Sequence, residues 1–267
     1  MIHLRSIERK RGKKGSDRFP FTVPAIRDLA PLQLTSPVTF FVGENGSGKS
    51  TLLEGIATSI GLPTVGSADS RSDATLIAQR ELAGALTLTW TMRATRGFFL
   101  RAEDFFGFTR SLARMREELL AELDEIAVTF ADASPCARGL RRGPIAGSLA
   151  DMERRYGVDL DANSHGQSFL KLFQNRFVPG GLYLLDEPEA PLSPQSQLAF
   201  LAMVKDMVAE DSQFIIATHS PILLAFPGAE IYSFDEAPVA RVPYESLEHV
   251  NLTRDFLRDP ERFLRHL

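Results

Sequence analysis

The sequence predicts an α/β fold whose core is a parallel or mixed sheet, with a helical insertion between the two halves of that core. Three observations carry this. Val38-Thr39-Phe40-Phe41-Val42 is a compact apolar run that enters a glycine-rich segment. Leu52, Leu53, Ile56 and Ile60 follow at helical spacing, and two later apolar runs, Leu182 to Leu185 and Phe214 to Ala217, end on polar residues. Short apolar runs bounded by turn signals suit strands buried on both faces, and their alternation with helical periods suits a largely parallel sheet.

Taken in order, residues 2 to 9 alternate apolar and charged side chains and predict an edge strand. The basic loop Arg9-Lys10-Arg11-Gly12-Lys13-Lys14 after it is either a solvated turn or a phosphate contact. Pro37 opens the strand at 38–42, and a helix from Ser50 to Ile60 stops at Gly61-Leu62-Pro63. Gly66 to Asp73 is polar and turn-rich, Ala85 to Met92 alternates like a strand, and Thr95 to Phe108 predicts a loop dense in phenylalanine. From Ser111 to Ile126, Leu112, Met115, Leu119, Leu123 and Ile126 mark one face of an amphipathic helix. The prolines, glycines and arginines of Ser134 to Gly147 predict a loop, and Leu149 to Tyr156 a short helix.

After a buried strand at Gly181 to Asp186, a helix over Leu198 to Val208 and strands at Phe214 to Ala217 and Ile231 to Phe234 are expected. The tail from Ser246 predicts helices interrupted at Pro260. The organisation is thus a core from 1–92 and 179–245, a helical insertion at 93–178 and a C-terminal helical tail at 246–267.

The chemistry centres on Gly43-Glu44-Asn45-Gly46-Ser47-Gly48-Lys49-Ser50-Thr51, which satisfies G-x-x-x-x-G-K-[ST] with a strand before it and a helix after it. Glycines let backbone N–H groups curl around phosphates, and the helix N-terminus adds a favourable field. This predicts a P-loop nucleotide site for ATP, with Lys49 on the β- and γ-phosphates and the Ser50 hydroxyl on Mg²⁺. Asp186, at the end of an apolar strand, is the expected second Mg²⁺ partner. Glu187 beside it is placed to orient or deprotonate water if it faces the γ-phosphate. His219 ends another apolar strand, and by position alone it is either a turn histidine or a site residue. The histidines and Cys136 show no zinc-ligand spacing.

The chain has 267 residues, 44% hydrophobic, enough for one large domain. With 30 Lys plus Arg against 34 Asp plus Glu, the formal charge of -4 neither marks a nucleic-acid binder nor excludes a local basic patch. One cysteine cannot form an intramolecular disulfide, and with a nucleotide site it points to a reducing, cytoplasmic setting. The first residues lack the apolar stretch of a signal peptide, and no apolar run approaches the ~20 residues of a membrane helix. A soluble protein without a membrane role is the expectation.

These motifs resemble the ABC-type ATPase heads, in particular the small AAA-family ATPases related to RecF, Rad50 and SMC heads. The resemblance rests on 43–51, on Leu184-Leu185-Asp186-Glu187-Pro188-Glu189-Ala190, on Asn163-Ser164-His165-Gly166-Gln167 as a signature loop, and on His219-Ser220-Pro221 as a switch loop. It implies that two ATP-loaded heads face one another, Ser164 and Gly166 of one touching the γ-phosphate held by Lys49 of the other. It also implies Glu187 as catalytic base, His219 as γ-phosphate sensor, Glu189-Ala190 in the loop crossing the interface, and an aromatic near Phe19 or Phe21 on adenine. The signature departs from the family pattern in having His165 where glycine is usual. The glutamine loop has no clean match, and Arg101 and Glu103 stand there as coupling or salt-bridge residues. Without sustained heptads, no long coiled-coil arm is expected.

The function expected is a slow Mg-dependent ATPase that dimerises head to head to act on an unknown partner, a protein or a nucleic acid. The alternatives are an ATP-gated binding or regulatory module with negligible turnover, and a DNA maintenance or defence ATPase. The basic loop and Arg138, Arg141 and Arg142 motivate the last of these.

Overall fold

A computed structural model describes residues 1–10, 17–65, 77–156 and 165–265. Among them the strands are β1 (Leu4–Arg9), β2 (Leu32–Gln33), β3 (Val38–Val42), β4 (Leu86–Trp90), β5 (Gly97–Arg101), β6 (Leu182–Asp186), β7 (Gln213–Ala217), β8 (Glu230–Ser233) and β9 (Ala240–Arg241). The helices are α1 (Pro24–Arg27), α2 (Lys49–Ile60), α3 (Ile77–Ala85), α4 (Ala102–Thr129), α5 (Pro135–Tyr156), α6 (His165–Arg176), α7 (Pro194–Ala209), α8 (Pro221–Leu224), α9 (Glu248–Arg258) and α10 (Pro260–Leu264). The chain divides into one unit of Met1–Ala102 with Phe177–Leu267 and a second of Glu103–Arg176.

In the first unit the larger sheet has the order β5-β6-β7-β3-β8-β9. Its first five strands are parallel, and β9 closes the edge antiparallel to β8. β3, β6 and β7 are buried along their whole length, which is why their sequences are continuous apolar runs. Ala217 is in register with Phe41 on one side and Asp186 on the other. The carboxyl ends of β3, β6 and β7 therefore come level, and the loops leaving them meet where parallel sheets gather ligands.

A second, antiparallel sheet has the order β2-β1-β4. β1 lies at its centre, not at an edge as its sequence suggested, because alternation records one buried face and says nothing of how many neighbours a strand has. Gln213 joins the two sheets. Its fully buried side chain accepts from the N–H groups of His3 and Leu4, each at 2.8 Å, and donates to the Leu4 carbonyl at 2.9 Å. Leu4, Ile7 and Ile26 pack with Leu52, Leu53, Ile56 and Phe41 in one apolar cluster.

Two segments expected to be loops are regular structure. Thr95 to Phe108 contains β5 and the start of α4, and β5 is held in the larger sheet by pairing with β6. Gly97 makes that approach possible: its φ is 135°, and a Cβ there would lie 1.8 Å from the Leu182 carbonyl oxygen. Ser134 to Gly147 is mostly helix, because α5 runs from Pro135 through Pro144 to Tyr156. Pro144 removes one helical N–H, yet the turns on either side continue.

In the second unit Phe169 meets Phe105 and Phe173 edge to face, at 4.5 and 4.6 Å between ring centroids. An Arg116 to Glu153 ion pair of 3.2 Å joins α4 to α5. In the tail, the chain breaks at Asp259, and Pro260 opens α10. Among the described residues, no helix is long and apolar enough to cross a membrane.

Candidate nucleotide site

The loop from Gly43 to Gly48 joins β3 to α2, and glycine is required at its last position. Gly48 has φ 106°, and a Cβ there would come within 2.8 Å of Val23 Cγ1. As N-cap of α2 it supplies no side-chain hydrogen bond to the first helical N–H groups. That helix end therefore presents backbone donors and its positive field to an anion.

Lys49 is 4% exposed, and its Nζ donates to the carbonyls of Gly43 at 2.6 Å and Glu44 at 3.0 Å. Burial pushes the ammonium pKa down, opposed by the charges of Glu187, Asp186, Asp235 and Glu189. The Lys49 cation thus sits among carboxylates at and just after the ends of β6 and β8. Ser50 Oγ donates to Asp186 Oδ1 at 3.1 Å. Burial chiefly raises the Asp186 carboxyl to about 7; the Ser50 bond and Lys49 oppose the rise, while Glu187 and Glu54 add to it. Ser50 and Asp186 offer hard oxygens side by side. Mg²⁺ takes few protein oxygens and completes its shell from water and phosphate, so this donor set fits it.

Glu187 holds a left-handed conformation, φ 50°, unusual for a residue with a Cβ. Its N–H donates to the Ala217 carbonyl at 2.9 Å, anchoring the turn to β7. The side chain is 44% exposed, with Oε1 3.8 Å from His219 Nε2, beyond hydrogen-bond length. Burial pushes the His219 pKa down, and the Lys49 charge adds to the fall. Glu44, Asn45, Glu187 and His219 line an open cleft of about 540 Å³.

The structure therefore brings together Gly43 to Thr51, Asp186, Glu187 and His219. Ser164 lies outside the described residues, and Gly166 is the second residue of α6 in the other unit. Arg101, expected as a coupling or salt-bridge residue, pairs with Glu54 on α2 at 3.3 Å, and Gln79 donates to the same carboxylate at 2.6 Å. Phe21 is a core residue beneath the Arg9 guanidinium, whereas Phe19 is 50% exposed. Of the basic loop, Arg9 bonds the Arg27 carbonyl and Lys10 the Gly84 carbonyl, while Arg11, Lys13 and Lys14 lie outside the described residues. Arg138, Arg141 and Arg142 are exposed on α5, at spacings that share one helix face.

One site carboxylate, Asp235, escaped the sequence, and another, Glu189, was expected in the interface loop and not as a partner of His219. Asp235 Oδ1 accepts the Glu44 N–H at 2.8 Å, and its Oδ2 accepts from Ser233 Oγ at 2.9 Å. It follows β8 much as Asp186 ends β6, and that placement was the available signal. Glu189 turns its Oε1 inward to accept the His219 N–H at 2.8 Å.

With this geometry in view, residues 22–86 match a family model described as "AAA domain". Residues 173–225 match one described as "AAA domain, putative AbiEii toxin, Type IV TA system". The chain is 22% identical over 270 residues to the energy-coupling factor transporter ATP-binding protein EcfA2 of Spiroplasma kunkelii, covering 92% of this chain and 78% of that protein. It is 25% identical over 247 residues to the cobalt import ATP-binding protein CbiO of Salmonella typhimurium, covering 88% and 83%. Among solved structures, the Smc head domain of Pyrococcus furiosus, bound to the C-terminal domain of ScpA, is 12% identical with a TM-score of 0.45, covering 96% of this chain and 100% of that one.

Proposed function

We propose that the chain, whose residues 22–86 and 173–225 match AAA-domain models, is an ABC-type nucleotide-binding head and a Mg-dependent ATPase that closes head to head on ATP to act on a protein partner. The convergence of Lys49, the Ser50 and Asp186 pair, Glu187 and His219 at three neighbouring strand ends carries this reading. Backbone N–H groups of Gly43 to Thr51 cradle the phosphates, and Lys49 offsets charge on the β- and γ-phosphates. Glu187 orients the attacking water and accepts its proton, and His219 faces the terminal phosphate. Ser50 and Asp186 would hold Mg²⁺, which when bound supplies positive charge to the phosphate oxygens. Ser164 and Gly166 complete the site of a second copy. The partner is unidentified. The curated relatives are named as ATP-binding proteins of import and transport systems, which favours a protein target over a nucleic acid. The cytoplasm is the compartment in which such a head meets ATP.

Glu187→Gln tests the reading. Phosphate release is expected to fall at least about tenfold, close to 1.4 kcal/mol of transition-state stabilisation. ATP affinity by calorimetry is expected to stay within about threefold, since the amide keeps the shape of the carboxylate. Near-background release from both proteins, with ATP bound, would support the ATP-gated module without turnover.

A further inference from the structure

Asp235 reaches the phosphate loop from the strand on its other flank. β8 pairs with β3 on the side away from β7, with Ser233 in register with Val42, and Phe234 continues the contact by donating its N–H to the Val42 carbonyl at 2.8 Å. The next residue, Asp235, therefore stands level with the start of the glycine loop. Ser233 aims its side chain: the Ser233 hydroxyl donates to Asp235 Oδ2 at 2.9 Å and accepts the Asp235 N–H at 3.2 Å. Oδ1 accepts the Glu44 N–H at 2.8 Å. Gly43 gives the carboxylate room, because a Cβ there would lie 3.1 Å from Oδ1 and φ is 144°.

The Glu44 N–H belongs to the same peptide group as the Gly43 carbonyl, and that carbonyl accepts the Lys49 ammonium at 2.6 Å. A peptide group is flat, with N–H and C=O on opposite sides, so a bond that fixes one end fixes the direction of the other. Asp235 and Lys49 thus hold one plane from its two edges. The following carbonyl, of Glu44, accepts both Lys49 Nζ at 3.0 Å and the Ser47 N–H at 3.2 Å. An ammonium has three N–H donors, and two of them go to these carbonyls, which leaves the third for phosphate. The direction in which Lys49 offers it depends on where the two carbonyls stand.

We propose that Asp235 is a positioning residue of the nucleotide site: through the plane of the Gly43–Glu44 peptide it sets the carbonyl on which the Lys49 ammonium rests, and so presets lysine and loop for the phosphates of a nucleotide. The proposal rests on nucleotide binding at Lys49. Its effect is preorganisation, since a loop already held in its binding shape loses less freedom when the ligand arrives. The hydrogen bond carries the effect, and the negative charge of Asp235 does not.

The experiment is calorimetry on the full chain with Mg-ADP and with a non-hydrolysable Mg-ATP analogue. Asp235→Ala should weaken both nucleotides about fivefold or more at unchanged stoichiometry, the worth of one hydrogen bond. A variant that is only less well folded would bind fewer equivalents at wild-type affinity, and that result overturns the proposal. Asp235→Asn keeps an oxygen for the Glu44 N–H and should stay within about twofold of wild type. An Asn variant as weak as Ala also overturns the proposal, because the charge would then be what matters. Ser233→Ala removes the bonds that aim the carboxylate and should weaken both nucleotides in the same direction, by about twofold. If Asp235→Ala does not fold, Ser233→Ala decides, and wild-type affinity in that variant counts against the proposal. Wild-type protein that binds neither nucleotide would instead remove the ATPase reading itself.

Discussion

The Glu189 carboxylate accepts the backbone N–H of His219 at 2.8 Å, and this bond joins the loop after β6 to the loop after β7. Glu187 and His219 are thereby set on two arms of one brace, whose carboxyl group burial pushes above the usual carboxylate range. Glu189→Ala should free the His219 segment and cost about 1–2 kcal/mol of stability in urea unfolding, the worth of one partly buried hydrogen bond. Phosphate release should fall about tenfold, with ATP affinity changed by less than about threefold. Glu189→Gln keeps an acceptor and should retain most of the rate; a Gln variant as slow as Ala would mean that charge, and not the brace, matters.

Stability should depend on pH through Asp186. The ordinary carboxyl value is 3.8 and the folded value is about 7. Between these, the folded chain holds a proton that the unfolded chain has released, so stability falls as pH rises through that window. The contribution is full below about 4 and gone above about 7. In EDTA, the wild-type urea midpoint should decline from pH 5 to pH 8, and Asp186→Asn should decline less. Mg-nucleotide should stabilise the wild type more at pH 8 than at pH 5, because the cation binds the deprotonated carboxylate. Parallel pH curves for the two proteins would remove Asp186 as the cause.

The ion pair of Arg101 and Glu54 joins the end of β5 to the phosphate-loop helix, with both side chains 11% exposed. Arg101→Met removes the guanidinium from the buried Glu54 carboxylate and should cost about 3 kcal/mol. Adding Glu54→Gln removes the carboxylate charge and should recover a good part of that loss. A double-mutant cycle in chemical denaturation measures it, and additive losses would show that the two residues act separately.

The cross-subunit site is tested in the Glu187→Gln background. With Mg-ATP, light scattering should give twice the mass found with ADP, since bound triphosphate accumulates when the chemical step is slowed. Adding Ser164→Arg should return the mass to that of the monomer by placing a bulky cation where two surfaces close. A protein that stays monomeric in saturating Mg-ATP, with or without Ser164→Arg, would remove the head-to-head dimer and leave His165 as the first residue to exchange.

Elements decided by close-range patterns were legible in the sequence. β3, β6 and β7 are short apolar runs covered on both faces, and α2 begins at the loop motif and stops at Gly61, whose φ of 77° ends a helix. The same holds for Lys49, Ser50 and Asp186, which a glycine loop and an apolar strand place by local geometry. Where composition and tertiary context disagreed, context prevailed. Gly97-Phe98-Phe99-Leu100-Arg101 is a strand because β6 lies beside it in register, and Pro135 to Tyr156 is a helix despite Pro144. Local preferences of well under a few kcal/mol yield to sheet pairing and packing.

The sequence by itself thus determined the phosphate loop, its helix and the acidic strand end, because each depends on residues adjacent in the chain. Only the tertiary structure decided that Glu189 braces His219, that Asp235 holds Glu44 and that Arg101 pairs with Glu54. Those relationships join residues 30 to 191 positions apart. No spacing encodes them, because they arise from strand order and register, which bring distant loops to one end of the sheet.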